Sequence, residues 1–170
     1  MKIFTIGHST HPIADFIAML KSFHIQVLAD IRSMPGSRKY PWFNQYALDA
    51  SLKEAGIRYI HLPALGGRRK PRPDSVNTAW RSKSFMGYAD YMETTEFKTG
   101  IEELERLATN ERVAYMCSEA VWWRCHRALV SDYLKVRGWE VLHIMAIDKS
   151  TEHPYTLPAH PVQGDLFYTS

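Results

Sequence analysis

Apolar residues along the chain follow two rhythms. Runs of five or six residues, KIFTIG, VLADIR, IRYIHL, VAYMC and WEVLHI, are closed off by turn-forming residues. They predict strands over Lys2–Gly7, Val27–Arg32, Ile57–Leu62, Val113–Cys117 and Trp139–Ile144. Between them the apolar positions recur at helical spacing. Ile13, Phe16, Ile17 and Leu20 mark one helix, with Ser9 or Thr10 as its cap and Pro12 in its first turn. A second covers Tyr46–Ala55 and is closed by Gly56. Phe85, Tyr88, Ala89 and Met92 form a third face, continued after a break at Thr94 by Phe97, Ile101, Leu104 and Leu107. A last helix runs from about Trp123 to Arg137, with Leu129, Val130, Tyr133 and Leu134 on its apolar side and Gly138 behind it.

Strands that alternate with helices in this way predict an α/β fold: one domain over 1–170, with a mostly parallel sheet of about five strands and helices on both faces. Such sheets bind ligands outside the carboxyl ends of their strands. The rule selects one rim: His8 and Ser9 after the first strand, Asp30 and Arg32 at the second, His61 at the third, Cys117 and Glu119 at the fourth. The order of the strands, and so which of these residues are neighbours, is not encoded in the pattern. Ser33–Phe43, with two prolines and a glycine, reads as a loop. So does Pro63–Lys83, which is long, basic and of a length that usually serves function or motion. The stretch 148–170 carries Pro154, Pro158 and Pro161 and reads as a tail wrapping the surface.

Composition narrows the class. At 170 residues and 45% apolar content the chain can bury a full core without staples. Two cysteines do not make a disulfide framework, and no secretory leader or membrane-length apolar run is visible, so a reducing cytoplasm is the expected setting. The formal charge of +3 neither requires nor excludes nucleic acid. Its distribution says more: Arg68, Arg69, Lys70 and Arg72 cluster in GGRRKPRP, and Arg32, Arg38 and Lys39 in IRSMPGSRKYP.

The most chemical segment is MCSEAVWWRCHR, Met116 to Arg127. A thiol ends a strand, a short loop follows, and Cys125, His126 and Arg127 open a helix. Helix N-termini bind anions and lower the pKa of nearby thiols. Thiol-dependent phosphatases and sulfurtransferases place their nucleophile at such a strand end. The spacing here, however, is C-x6-R from Cys117 to Arg124 rather than the phosphatase C-x5-R, so the likeness is one of position only. Cys117 reads either as a nucleophile or redox centre, with Cys125 as its partner, or as a small buried apolar residue. His126 reads as a general acid or base, and Arg124 and Arg127 as an anion clamp; the plainer reading of Arg127 is a bridge to Glu119. A cation at a helix start opposes the macrodipole, which favours a nearby acid or bound anion.

No C-x2-C or H-x3-H spacing occurs, so no structural metal site and no cofactor is expected, although Cys117, Cys125, His126, His8, Asp30 and His61 are ligand types that strand ends could assemble. His8 follows Gly7, where a ligand could approach the backbone, and Ser9 sits beside it. Asp30, inside an apolar run, needs a partner, and Arg32 is the nearest. Trp42, Trp80, Trp122 and Trp123 lie near basic loops, an arrangement that suits stacking on a base or simply anchors the loops.

Six segments occur in one order: TIGHST, ADIRSMPGSRKYPWF, GIRYIHLPALGGRR, SFMGYADYM, VAYMCSEAVWWRCHR and VLHI. On these the chain resembles domain-of-unknown-function family 488, from Lys2 to about His153. The resemblance implies a small bacterial or archaeal α/β protein whose pattern includes the segments around Gly7, Arg32, Arg38, Gly66 and Cys117. It transfers no reaction. Ser118, Val121 and the tryptophan pair depart from the cysteine segment that the resemblance leads one to expect, without touching the thiols or the Cys-His-Arg triplet.

Three functional readings follow. The leading one is an enzyme, a thiol-dependent transferase or hydrolase, acting on an anionic, phosphate-bearing or nucleotide-like substrate. Cys117, Cys125, His126 and Glu119 would carry the chemistry, and Arg127, Arg124, Arg38, Arg32, His8, Ser9, Arg68 and Arg69 would hold the substrate. The second is a nucleic-acid-binding or processing module using the 66–72 loop and the tryptophans. The third is a binding protein in which the cysteines only pack. No membrane partner is expected.

Overall fold

The computed structural model describes residues 1–170. Five strands are parallel: β1 (Lys2–Gly7), β2 (Val27–Asp30), β3 (Arg58–His61), β4 (Val113–Cys117) and β5 (Glu140–Ala146). A sixth, β6 (Lys149–Glu152), joins β5 antiparallel, and the sheet order is β3-β2-β4-β1-β5-β6. The helices are α1 (Ile13–Ser22), α2 (Gln45–Glu54), α3 (Lys83–Tyr91), α4 (Thr95–Asn110) and α5 (Arg127–Val136). The expected α/β architecture is therefore present, with one strand more than the apolar runs revealed. That strand, KSTE, is exposed along its whole length and has no core-facing residue to give it a period.

Alternation along each strand divides the core between the two faces. Phe4, Ile6, Leu28, Ala114 and Met116 pack under α1 and α2 with Phe16, Leu20, Leu48 and Leu52. Ile3, Val27, Ala29, Val113, Tyr115 and Val141 pack under α3, α4 and α5 with Tyr88, Phe97, Leu104, Leu129 and Leu134. Thr94 caps α4 by accepting from the Phe97 N–H, which explains the break between the third and fourth helices. Gly56 and Gly138 adopt positive φ behind α2 and α5, as their positions predict.

Local details differ at helix starts. α1 opens at Ile13 with Pro12 at the cap position and no side-chain cap, while Ser9 takes a positive φ of 47° in the preceding turn. The last helix does not run from Trp123. Trp122–Arg124 form a single 3-10 turn, Cys125 is extended, and α5 begins at Arg127 with His126 at its cap. The final stretch is also more than a surface tail. Beyond β6 it forms a hairpin of β7 (His160–Val162) and β8 (Asp165–Phe167), and it buries His153 and Tyr168. No helix is long and apolar enough to cross a membrane.

Candidate functional site

The strand order decides the site. β2, β4 and β1 are adjacent in that order inside the sheet, so the turns after Asp30, Cys117 and Gly7 meet side by side. Backbone bonds join them: His8 N–H donates to Cys117 O (3.0 Å), Ser9 N–H to Ser118 O (2.9 Å) and Ile31 N–H to Met116 O (3.0 Å). Gly7 has to be glycine here, because a Cβ would lie 1.7 Å from the Glu119 carbonyl oxygen. Above the junction lies a cleft of about 780 Å3, walled by His8, Ser9, Arg32, Cys117–Ala120 and Arg124–His126, and on the far side by Gly67, Arg68 and Tyr88.

Cys117 closes β4 and is buried; Cys125 returns to it after the 3-10 turn and is partly exposed. Their sulfurs are 2.6 Å apart, both free thiols and both on the cleft wall. Burial alone would raise the Cys117 thiol, but a hydrogen bond from Cys125, the Arg127 guanidinium and a backbone contact at Glu119 hold it below the usual range. Burial and the neighbouring Cys117 sulfur push Cys125 up instead. Of the two thiols, Cys117 is therefore the more acidic.

Arg127 lies just behind. It is 1% exposed and has no carboxylate within ion-pair reach. Its Nη2 donates to the carbonyls of Glu119 (3.1 Å) and Ala120 (3.4 Å), its Nη1 to Thr5 Oγ1 (3.2 Å), and its Nε has no partner. Hence it holds the loop that follows Cys117 through that loop's backbone; it neither lines the cleft as the anion clamp read from the sequence nor makes the alternative bridge to the Glu119 carboxylate. A buried guanidinium without a carboxylate is costly unless some other anion balances it. The Cys117 thiol, whose acidity the guanidinium raises, is in that neighbourhood.

His126 is fixed by Nε2–H donation to the Ile31 carbonyl (2.9 Å) and by the Tyr88 ring, 5.1 Å away between centroids. Its Nδ1 therefore carries the lone pair and has no protein partner. Burial lowers its pKa to about 4, so the ring is neutral and a weak base. Gly67 passes close to it: a Cβ there would lie 2.9 Å from Nδ1.

The other candidates separate into groups. His8 donates from Nδ1 to its neighbour Ser9 O (2.9 Å), accepts from Arg32 Nη1 (3.3 Å) and stacks on Phe43; burial lowers it to about 4, leaving no spare ring atom for acid–base work. Arg32 is occupied by Asp30, through Nε (3.0 Å) and Nη2 (2.8 Å), and by the Phe43 carbonyl, while Tyr59 donates to the same carboxylate. This is the structural ion pair expected at VLADIR, so although Arg32 lines the cleft its charge is already neutralised. Arg68 and Arg124 are exposed on the cleft rim, and Ser9 and the exposed Glu119 lie on its wall. Arg38 is exposed on the 33–40 loop and does not line the cleft, although its neighbours Ser37 and Tyr40 do. The Arg69 guanidinium carbon lies over the Tyr91 ring, 3.7 Å from its centroid, outside the lining. No group of three or more His, Cys, Asp or Glu side chains is arranged to hold a metal ion.

Of the tryptophans, Trp42 donates to the His11 carbonyl, Trp80 packs on Phe85 and Tyr168, and Trp122 stacks on His143. These three are anchors. Trp123 alone is more than half exposed, beside Arg124. Thr5, Asp132, His143 and His153 stand outside the candidates that the sequence suggests. The available signals were polar residues inside apolar patterns: His143 within WEVLHI, and Asp132 beside Leu129, Val130, Tyr133 and Leu134.

Comparison with known proteins gives one finding. The family model described as domain of unknown function DUF488 matches residues 12–134, well over half of the chain. No curated protein and no solved structure matches.

Proposed function

Because the chain belongs to the DUF488 family, whose description carries no reaction, we propose a function from the site alone: a thiol-dependent enzyme acting on a small anionic substrate in the cleft. The observation that carries the reading is the contact of Cys117 and Cys125 at 2.6 Å, next to a buried guanidinium with no carboxylate of its own. Cys117 is the nucleophile. Cys125 donates a hydrogen bond to its thiolate and, where Cys117 carries a mixed disulfide, is placed to attack the Cys117 sulfur, expelling the other partner as a thiolate and closing the Cys117–Cys125 disulfide. His126, with Nδ1 bare, accepts a proton. Arg68 and Arg124 on the rim supply the positive charge that attracts a phosphate-bearing or nucleotide-like anion.

The test is alkylation with iodoacetamide as a function of pH on the wild type, Cys117→Ser and Cys125→Ser. The expected result is one thiol that titrates well below about 8.5, the unperturbed value, and that disappears in Cys117→Ser. Thiols that stay inert until the chain is unfolded would overturn the reading and leave the cysteines as packing residues.

Trp123 favours a second reading, a nucleic-acid module, since it is exposed and adjacent in sequence to Arg124, which lines the cleft with Arg68. That reading requires binding to a single-stranded oligonucleotide that weakens steeply with salt and with Trp123→Ala, yet survives Cys117→Ser.

A further inference from the structure

Behind the cleft, four successive hydrogen bonds link a buried carboxylate to Arg127. Asp132 Oδ1 is 2.8 Å from His153 Nε2, His153 Nδ1 is 2.8 Å from His143 Nε2, His143 Nδ1 is 2.5 Å from Thr5 Oγ1, and Thr5 Oγ1 is 3.2 Å from Arg127 Nη1. Asp132, His143, His153 and Thr5 are all fully buried. Trp122, on the loop after Cys117, covers the two imidazoles: its ring stacks on His143 at 4.9 Å and 5° and meets His153 edge-on at 4.8 Å.

The chain has a direction. A carboxylate only accepts, so His153 donates from Nε2. With His153 neutral, its Nδ1 accepts, so His143 donates from Nε2. The bare Nδ1 of His143 then accepts from the Thr5 hydroxyl, and the Thr5 oxygen accepts from Arg127. Each group is satisfied, and one buried anion faces one buried cation across neutral dipoles. A protonated His153 would reverse the chain. The Thr5 oxygen would then accept twice while its own hydrogen had no partner, and Asp132, in direct contact with His153, would be the one carboxylate for two buried cations. The other polar groups facing Asp132 are the Thr156 N–H and hydroxyl and the Tyr168 hydroxyl, all donors to it. The carboxylate is thereby held as an acceptor. Arginine does not give up its proton, so the chain ends in a fixed charge and is not a proton wire.

We propose that Asp132, His153, His143 and Thr5 are positioning residues: they act as the remote counter-charge and the fixed acceptor that hold the Arg127 guanidinium against the Glu119 and Ala120 carbonyls, and so set the loop around Cys117. This rests on the thiol reading for its functional meaning, but the geometry it asserts is separate. Two of its members, His153 and His143, come from beyond the segment that the family model matches, and Thr5 from before it.

The first test is nitrogen-15 NMR of the imidazoles in the wild type at neutral pH. The expected result is protonated Nε2 and bare Nδ1 in both His143 and His153. A protonated Nδ1 in His143, or a doubly protonated His153, overturns the proposal. The second test compares Thr5→Val, which keeps shape but removes the hydroxyl, with Thr5→Ser, which restores it. Thr5→Val is expected to shift the amide resonances of Glu119 and Ala120 and to slow Cys117 alkylation, about tenfold for each unit by which the thiol midpoint rises. Thr5→Ser is expected to return both toward the wild type. Unmoved amides, or no recovery in Thr5→Ser, overturn the proposal. Amides that move and recover while the wild-type thiol itself proves ordinary support the positioning chain and overturn the thiol reading instead.

Discussion

The sulfur of Cys117 sits 2.6 Å from that of Cys125, eight residues on, because the loop between them turns back over the end of β4 instead of continuing into a helix. The extended backbone at Cys125 delays α5 until Arg127, and that delay turns the second thiol toward the first. A dithiol so placed differs from two packed cysteines in having a hydrogen-bond donor, a cation and a cleft opening on one side of it.

The pair should oxidise within the chain. Treatment with a diazene-dicarboxamide oxidant should join Cys117 to Cys125, each thiol losing its hydrogen as the oxidant is reduced to the hydrazine. Peptide mass mapping without reduction would show the 117–125 link, absent in either Cys→Ser variant. Recovery of two separately alkylatable thiols after such treatment would show that the sulfurs cannot approach bonding distance.

Arg127→Met should separate charge from packing. Methionine fills part of the buried space, but Thr5 and the carbonyls of Glu119 and Ala120 lose their donor. The expected cost is roughly 1–3 kcal/mol in urea unfolding, the penalty for a buried polar group left unpaired. At the same time the Cys117 thiol should become less acidic, since the guanidinium is one of the groups that hold it down. A variant of unchanged thiol reactivity would remove Arg127 from the site chemistry.

Stability should fall on mild acidification. His8 and His126 are lowered to about 4 and His143 to about 2, in each case first by burial. Above pH about 6.5, the ordinary histidine value, neither folded nor unfolded chain binds these protons, and stability is complete. Below it the unfolded chain takes them up and the folded chain does not, so stability declines as pH falls from 6.5 toward 4, and further for His143. At pH 5 the loss is on the order of 2 kcal/mol for each group. Urea midpoints at pH 7 and pH 5 test this. Equal midpoints would mean that the three rings are solvated or charged in the folded state.

Gly7→Ala should damage the site more than its small volume suggests. The added methyl would meet the Glu119 carbonyl at 1.7 Å, a backbone atom that Arg127 also holds. Overpacking against backbone costs about 1–3 kcal/mol or displaces the loop. A shifted 118–121 loop would loosen the Cys117 environment. Circular dichroism melting with thiol titration would show both effects, and wild-type values in each would mean that the loop yields without consequence.

Much of the scaffold was legible in local pattern. β1 and β4 fall on the predicted residues, β2 and β3 lie within their predicted runs, and β5 is shifted by one or two residues, because apolar runs flanked by turn residues leave the backbone little choice. The break at Thr94 and the ends at Gly56 and Gly138 were legible for the same reason: caps and positive φ are decided by single residues. β6 was not, since an exposed edge strand carries no burial pattern.

For this protein the sequence by itself determined the alternation of strands and helices and the strand-end rim that includes Cys117, because both depend on spacing within one segment; it did not show that Arg127 lies buried behind that rim. It also pointed to the Asp30–Arg32 pair, two residues apart in one run. Tertiary structure alone decided that β2, β4 and β1 are neighbours, that the two thiols touch, that Arg69 leaves the cleft for Tyr91, and that Asp132, His153, His143 and Thr5 reach Arg127 in line. These contacts join residues far apart in the chain. Periodicity and spacing describe what a segment does to itself, whereas hydrogen bonds between strands and across layers depend on an order and a register that only the folded chain specifies.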